Sequence, residues 1–207
     1  EKYKEFILSR DDIKHYYKYL SFCQEEDIFD GNCEQLILCR RPIDNFKMIS
    51  KIKKVKKLFL EKPIAESPKQ AYDLLNLIQK KCDIFCTNYI FLVLSWYEIL
   101  SKNFYKEIEI EWNFKAHHNL HNVSTWKTKK EYGGSLISFY GIHFIALAVS
   151  LNFKILNFSK IINESNWECV LYSDNNKLLK IKINCDSSQN LFRISADSKN
   201  ILVLKDP

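Results

Sequence analysis

The first half of the chain alternates short apolar runs with segments of helical spacing. Strands are predicted for the apolar runs at residues 5–8, 34–39, 58–60 and 84–87. Helices are predicted between them at residues 11–20, 43–53 and 68–81. Strands that alternate with helices in this way indicate a parallel sheet with crossover helices on its faces. The first part of the chain is therefore expected to be a doubly wound, Rossmann-like α/β unit.

The helix over residues 68–81 carries the clearest signals. Ser67 and Pro68 are an N-cap residue followed by a first-turn proline. Apolar residues then recur at helical spacing, at Ala71, Leu74, Leu75 and Ile78. The pattern predicts an amphipathic helix with one apolar face.

A different pattern follows residue 88. In residues 107–114 apolar and polar side chains alternate strictly, which predicts a half-buried strand. Helices are predicted at 92–100 and at 135–151, and the second is apolar nearly all round and therefore buried. Further strands are predicted at residues 153–162, 167–173, 177–185, 190–196 and 201–204. Consecutive strands with turn-rich breaks indicate a mostly antiparallel sheet, so this part is expected to be α+β.

The change of pattern divides the chain into two predicted domains, residues 1–88 and residues 89–207. No Gly/Pro linker marks the boundary near Asn88, so the two parts are expected to pack closely with a cleft between them. The chain starts with Glu1 rather than Met and stops just after an apolar run, which we interpret as truncation at both ends. The Rossmann-like sheet is accordingly expected to be incomplete at its N-terminus.

A net charge of +6 raises the question of nucleic-acid binding. The densest basic run consists of Lys51, Lys53, Lys54, Lys56 and Lys57. These lysines alternate with Ile52 and Val55, as on the outer face at the end of an amphipathic helix, and no stacking aromatic residues lie among them. A solvated face is the preferred interpretation, and no nucleic-acid partner is expected.

Cysteine usage and hydropathy favour a soluble cytoplasmic protein. The seven cysteines are an odd number and spread along the chain, which suits reduced core thiols better than disulfides. The most apolar segment, residues 136–149, is broken by polar residues, and residues 1–10 do not have the pattern of a signal peptide. No membrane association is predicted.

The tripeptide Glu61-Lys62-Pro63 is the first candidate for chemistry. It follows the predicted strand at residues 58–60 and so lies at the carboxyl end of a parallel strand, where ligands bind in open α/β folds. A lysine there can donate a proton or a hydrogen bond to a substrate hydroxyl. The alternative is an exposed lysine before a turn proline.

The second candidate is the segment from Tyr132 to His143. It contains the pair Gly133-Gly134 at a helix start, where bare amides can approach an anion or a substrate oxygen. His143 follows Tyr140 by about one turn, so the imidazole and the phenol could face one pocket. The alternative for His143 is a hydrogen-bonded core histidine.

Together these segments resemble the Gfo/Idh/MocA family of oxidoreductases. In that family an EKP tripeptide after a strand is followed about 70 residues later by a tryptophan, a glycine pair and a helix that ends in histidine. The matching segments here are residues 58–65 (LFLEKPIA), Trp126 and residues 133–143 (GGSLISFYGIH). Their order and spacing agree across most of the chain.

The resemblance implies a two-domain enzyme that transfers a hydride between NAD or NADP and a hydroxyl or keto carbon of a sugar or nucleotide-linked sugar. Residues 1–88 would hold the nucleotide, and residues 89–207 would bind the substrate and form a homo-oligomer. Carried over by position, Lys62 and His143 lie beside the reacting hydroxyl. A neutral histidine would take the hydroxyl proton, and Lys62 would stabilise the charge that develops on the oxygen.

The resemblance also implies further contacts with the cofactor and the substrate. Cofactor contacts are expected from Arg10, Arg41, Pro42, Glu61, Lys62 and Pro63. Arg10 would stand at the end of the strand at 5–8, where an arginine favours a 2'-phosphate and hence NADP, although a surface arginine is the commoner explanation. Substrate contacts are expected from His117, His118, Trp126 and Gly134.

Three departures from the family pattern qualify these expectations. Phe139 stands where the family has an aspartate, four residues before the helix histidine, and Phe46 stands where it commonly has a histidine. Tyr140, or His117 and His118, would then take part in the chemistry, or the chemistry is altered or lost. The third departure is that no GxGxxG motif occurs, so a complete chain of this sequence could not hold a pyrophosphate in the usual way.

The preferred interpretation is a central fragment of an NAD(P)-dependent sugar oxidoreductase. The main alternative is a non-catalytic relative that binds a sugar or acts as a scaffold. No metal site is predicted, because the cluster of His117, His118 and His121 has no matched carboxylate pattern.

Overall fold

A computed structural model describes residues 5, 8–12, 14–19, 28–29 and 33–205. In this part of the chain the strands form a parallel sheet followed by a larger mixed sheet. The parallel sheet has the order β1-β2-β3, formed by β1 (Gln35–Leu38), β2 (Val55–Leu60) and β3 (Cys82–Thr87). Helices α1 (Pro42–Lys51) and α2 (Pro68–Lys81) connect these strands. The predicted Rossmann-like arrangement is confirmed for these strands and helices.

Helix α2 has the predicted bounds. The Ser67 hydroxyl accepts a hydrogen bond from the Gln70 amide at 3.3 Å, and Pro68 occupies the first turn. Leu74 and Ile78 are buried on the face that was predicted to be apolar. They pack with Ile49 and Leu60 in the core of the parallel sheet.

The prediction was wrong in two places in the N-terminal part of the chain. Glu5 and Leu8 lie in helical conformation rather than in a strand, and a short 3-10 helix covers Lys14–Tyr19. The lysine run is not the end of a helix, because α1 ends at Lys51 and β2 begins at Val55. The apolar residues in this run recur every third position, at Ile52, Val55 and Leu58, and this spacing resembles the period of a helix. Val55 and Leu58 nevertheless belong to a strand.

The larger sheet contains six strands in the order β5-β6-β7-β4-β8-β9. Their bounds are β4 (Glu107–Lys115), β5 (Phe153–Asn163), β6 (Asn166–Ser173), β7 (Leu178–Asn184), β8 (Asp186–Ala196) and β9 (Lys199–Lys205). The predicted strands and the mostly antiparallel pairing are confirmed. One pair is parallel, because β4 lies between β7 and β8 and aligns Glu107 with Leu178.

Helical segments cover one face of this sheet. A 3-10 helix (Ile90–Val93) and α3 (Ser95–Lys102) replace the single helix predicted at 92–100, and α4 (His117–Leu120) follows β4. The predicted helix at 135–151 is divided into a π-helix (Leu136–Gly141) and α5 (Ile142–Ser150). Phe144 and Leu147 are fully buried, whereas Ile145 and Val149 are exposed, so α5 is buried on one side only.

The segment Lys130–Ser150 passes a length and composition test for a membrane-spanning helix, with a mean hydropathy of 1.5. Sequence analysis had not predicted a stretch of this kind. Core helices of soluble proteins pass the same test, and 44% of the most apolar window is buried inside the protein. The segment is therefore weak evidence for a membrane. The six cysteines in the described residues are free thiols, and Cys23 lies outside them.

Candidate active site

The EKP tripeptide lies at the carboxyl end of β2, as predicted. The Glu61 amide donates a hydrogen bond to the Leu38 carbonyl at the end of β1, at 3.1 Å. Asn88, which follows β3, donates from Nδ2 to Glu61 Oε1 at 2.8 Å. Glu61 is thus held by groups from the carboxyl ends of both neighbouring strands. These two hydrogen bonds fix the backbone from which the Lys62 side chain extends.

Lys62 reaches from the parallel sheet to the π-helix. Its Nζ donates to the Phe139 carbonyl oxygen at 2.6 Å and lies 4.0 Å from the centroid of the Phe139 ring. Burial lowers the pKa of Lys62 to about 8. The nearby Glu61 carboxylate opposes this shift, and the Lys127 ammonium adds to it. The ammonium therefore exchanges its proton close to neutral pH, and the alternative of a fully exposed lysine is excluded.

His143 lies on α5, four residues after Phe139. It is 7% exposed, and its ring centroid is 5.1 Å from that of Phe91. Burial, with a contribution from the positive charge of Lys62, lowers its pKa to about 4. Its buried Nδ1 has no hydrogen-bond partner among the described residues. His143 is thus a neutral imidazole with an unsatisfied nitrogen, which differs from the hydrogen-bonded core histidine considered as the alternative.

Two cations contact the ring of Phe139, which stands where the sequence resemblance predicts an aspartate. Lys127 Nζ lies 4.7 Å from the centroid of the Phe139 ring, which Lys62 also contacts. The Trp126 ring packs edge to face against the same ring, with centroids 5.7 Å apart. We call Lys62, Phe139 and His143 the Phe139 junction. The Phe139 ring is thus the centre of two cation–π contacts.

Tyr140 faces a cavity of about 370 Å³, which adjoins the Phe139 junction through Lys127 and which we call the Tyr140 cavity. Its polar lining includes His118, Asn119, Lys127, Lys130, Tyr140 and Glu164. Burial, with a smaller effect of Cys185, raises the pKa of Tyr140 to about 12, so the phenol keeps its proton and can donate a hydrogen bond. Burial and the charge of Lys127 lower the pKa of His118.

His143 is not among the residues that line the Tyr140 cavity, although the two side chains were expected to face one pocket. The reason is the π-helix that ends at Gly141, between the two residues. In a π-helix hydrogen bonds run from residue i to residue i+5, and the directions of side chains differ from those of an α-helix.

The glycine pair closes a turn instead of presenting free amides. The Gly133 amide donates to the Lys130 carbonyl at 3.0 Å, and the Gly134 amide donates to the Lys129 carbonyl at 2.9 Å. A Cβ at Gly134 would lie 2.1 Å from the Trp126 carbonyl oxygen, which explains why glycine is required. Both amides are therefore already used within the protein, contrary to the expectation that they would meet a substrate oxygen.

The expected cofactor contacts on the N-terminal side are spread over two segments. Pro42 begins α1 and Arg41 precedes it, with the guanidinium of Arg41 paired to Asp44 at 2.8 Å. Arg10 pairs with Asp12 at 2.6 Å and is exposed. Because Leu8 is helical, Arg10 does not follow a strand, and the argument that placed it at a strand end was wrong.

The histidine cluster after β4 is divided as well. His118 faces the Tyr140 cavity, whereas His117 is exposed and its ring lies tilted against that of His121, with centroids 4.4 Å apart. In the described part of the chain no group of three or more His, Cys, Asp or Glu side chains could hold a metal ion.

Sequence reasoning did not select Lys127, Asn88 or Phe91. Lys127 directly follows Trp126, and Asn88 directly follows the end of the predicted strand at 84–87, so both stood next to selected positions. Phe91 had no distinguishing signal, because an apolar residue in a helical pattern is most often part of the core.

No protein-family model and no curated protein matches this sequence. Solved structures do match. The WlbA (WbpB) dehydrogenase from Thermus thermophilus, in complex with NAD and α-ketoglutarate, has a TM-score of 0.71 and 13% identity, and the match covers 95% of this chain and 72% of that one. The MviM dehydrogenase from Clostridium difficile has a TM-score of 0.68 and 16% identity, with 96% and 62% covered.

UDP-N-acetylglucosamine 3-dehydrogenase GnnA from Acidithiobacillus ferrooxidans has a TM-score of 0.66 and 10% identity, with 89% of this chain and 61% of that chain covered. All three are dehydrogenases by name, and the Thermus thermophilus structure contains NAD, so the resemblance found in the sequence is confirmed at the level of the fold. The chain spans between 61% and 72% of the lengths of these three proteins.

Proposed function

We propose that this chain is part of an NAD(P)-dependent oxidoreductase that transfers a hydride between the nicotinamide and a hydroxyl or keto carbon of a sugar or nucleotide-linked sugar. The observation that carries the proposal is the placement of Lys62. It is a half-buried lysine with a pKa of about 8 at the carboxyl end of a parallel strand, next to a buried neutral histidine. A group whose pKa lies near the working pH is the kind that general acid–base catalysis requires.

The residues present fit the nicotinamide side of such a cofactor. The carboxyl ends of β1, β2 and β3 carry Arg41, Glu61 and Asn88, and this edge of a parallel sheet is where nucleotides bind in open α/β folds. Arg41, Pro42, Glu61, Lys62 and Pro63 would hold the cofactor there. When bound, the nicotinamide accepts or donates the hydride. The preference for NADP over NAD, which depended on Arg10, is weaker now that Arg10 does not follow a strand.

The pKa values suggest how Lys62 and His143 divide the work. Near neutral pH most Lys62 side chains are protonated, but their pKa is only slightly above the pH, so they lose the proton readily. This lysine therefore suits the exchange of a proton with the substrate oxygen. His143, with a pKa of about 4, stays neutral, and its buried Nδ1, which has no partner among the described residues, would accept a hydrogen bond from a hydroxyl that enters the junction. The roles are thus shifted from those that the resemblance implied, where histidine was the base.

A ligand bound to a similar structure supports the substrate class. The Thermus thermophilus WlbA dehydrogenase has also been solved with NAD and UDP-GlcNAcA, and it has 12% identity to this chain. Since this likeness shows the fold only, the sugar and the cofactor remain proposals. Assembly as a homo-oligomer and a cytoplasmic location remain predictions in the same sense.

The test is a titration of the full-length protein with NADH and NADPH by nicotinamide fluorescence, followed by turnover assays over a panel of sugars and nucleotide sugars. Binding of one nucleotide, with turnover that depends on Lys62, is the expected result. If the protein binds neither nucleotide, the oxidoreductase is excluded.

A second candidate function is a non-catalytic relative that binds a sugar or acts as a scaffold. Phe139 favours it, because the residue whose carbonyl accepts the hydrogen bond of Lys62, four positions before His143, is a phenylalanine that cannot relay a proton or hold a substrate hydroxyl through its side chain. This candidate predicts sugar binding without nucleotide binding in the same titrations.

A further inference from the structure

Two of the lysines that line the Tyr140 cavity form no ion pair with the described residues. Lys127 and Lys130 both line it, and neither forms an ion pair with any residue that the structure describes. Their side chains are exposed at the cavity, so they are free to meet a ligand. One carboxylate, Glu164, also lines the cavity, which leaves the two ammonium groups in excess.

The position of Lys127 concentrates positive charge further. Its Nζ lies 4.7 Å from the Phe139 ring, while the Lys62 Nζ lies 4.0 Å from the same ring. The charge of Lys127 lowers the pKa of both Lys62 and His118. Like charges so close together raise the energy of the empty site, and a bound anion would relieve that cost.

We propose that the Tyr140 cavity binds the oxyanion group of an acidic substrate, a carboxylate or a phosphate on a sugar, through Lys127 with Lys130 beside it. The neutral groups around them, Tyr140 and Asn119, can bond to hydroxyls of the same ligand. A volume of about 370 Å³ lies near the lower end of the usual range for small-molecule sites. The proposal rests on the proposed function, since it names the substrate class of that same site.

The experiment compares three probes that differ only at C6: glucose, glucuronate and glucose 6-phosphate. Each is titrated calorimetrically into the full-length protein without nucleotide. The variants are Lys127→Gln and Lys130→Gln, and the matched control is Lys129→Gln, an exposed lysine on the same segment that does not line the cavity. Thermal melts check that all three variants are folded.

One of the two acidic probes should bind at least about tenfold more tightly than glucose, as expected for a charged hydrogen bond. Tighter binding of glucuronate identifies a carboxylate site, and tighter binding of glucose 6-phosphate identifies a phosphate site. Lys127→Gln should abolish most of this difference, Lys130→Gln should reduce it less, and Lys129→Gln should leave it within about twofold.

The proposal is overturned if glucose binds as well as both acidic probes, if no probe binds, or if Lys127→Gln has no more effect than Lys129→Gln. The readout is binding without nucleotide, so it is independent of hydride transfer. Anion binding in a protein that fails the nucleotide titration would refute the oxidoreductase while the anion site stands.

Discussion

Phe139 and Tyr140 are neighbours on one helical turn, yet they belong to two different environments. At the Phe139 junction burial dominates, and it lowers the pKa of Lys62 to about 8 and that of His143 to about 4. In the Tyr140 cavity the lysines are exposed and there is room for about 370 Å³ of ligand. The Phe139 junction thus changes the pKa values of its groups, whereas the Tyr140 cavity presents positively charged side chains to a ligand.

The difference suggests a division of labour within one site. Proton transfer benefits from a desolvated group whose pKa lies near the working pH, whereas recognition of a charged substrate benefits from cations at an open surface. Lys127 connects the two environments, because it lines the cavity and also contacts the Phe139 ring. The following variants test whether the two environments act separately.

The largest effect is expected from Lys62→Met. Loss of an acid–base group should reduce turnover by about a thousandfold, with nucleotide binding affected far less. In the unmodified protein, kcat/KM for oxidation should rise with pH and level off near pH 8, as Lys62 loses its proton. A pH profile of initial rates measures this bend, which should be absent from the residual activity of the variant.

Lys62→Met should not lower the melting temperature at pH 7. Lys62 has a pKa of about 8 in the folded state, below its ordinary 10.5, so it binds its proton less tightly there than in the unfolded chain. Its positive charge therefore lowers the free energy of unfolding fully below pH 8, and this cost disappears as the pH rises from 8 to 10.5. The matched control is Lys57→Met, an exposed lysine on β2, the strand that precedes Lys62. A loss of turnover as large in Lys57→Met would show that the effect is not specific to Lys62.

The next largest effect is expected from Gly134→Ala. The added Cβ would lie 2.1 Å from the Trp126 carbonyl oxygen and 2.5 Å from the Lys127 backbone, so the turn must open and cost about 3 kcal/mol of unfolding free energy. Since this turn holds Lys127 between the two environments, anion binding should weaken as well. Denaturant melts measure the stability.

Gly141→Ala is the comparison for this variant. Its Cβ would lie 3.0 Å from the Trp167 ring, a contact with a side chain that a small shift can relieve. Better helix propensity also offsets part of the cost, so a change within about 1 kcal/mol is expected. Equal destabilisation by both variants would contradict the tight turn as the cause.

A smaller effect concerns acid stability. His143 has a folded-state pKa of about 4 against an ordinary 6.5, so the unfolded chain binds the extra proton between these values and stability falls as the pH drops through them. At pH 5 this amounts to about 2 kcal/mol relative to pH 7. His143→Gln should lose that part of the pH dependence.

Denaturant melts at both pH values measure this, with the exposed His121→Gln as the control. If His143→Gln and the unmodified protein lose stability in parallel on acidification, then His143 is protonated or solvated in the folded state, and its description as a buried neutral imidazole is wrong.

Much of the fold could be predicted because its signals are local. The Ser67 cap and Pro68 fixed the start of α2, and alternation fixed β4. The position of Lys62 followed from its place after a strand. The insertion of β4 between β7 and β8 could not be predicted, because a period of two identifies a strand without naming its neighbours.

The site was predicted less completely, for two physical reasons. The spacing of Tyr140 and His143 was interpreted with the geometry of an α-helix, and the π-helix changed where the two side chains point. Lys127 is an exposed lysine in an irregular segment, where no period distinguishes a ligand-facing side chain from a solvated one. Its importance depends on the Phe139 ring and the cavity, which only the folded chain brings to it.

The smallest effect is expected from Tyr140→Phe, and it separates the two environments most directly. The phenol lines the cavity, keeps its proton with a pKa of about 12, and so acts as a hydrogen-bond donor to a substrate hydroxyl. Removing one neutral hydrogen bond should raise KM by about threefold to tenfold and leave kcat nearly unchanged. Steady-state kinetics on the best substrate measures both. A collapse of kcat comparable to that of Lys62→Met would place Tyr140 in the proton transfer itself, as the sequence-based hypothesis had it, and the two environments would then be one.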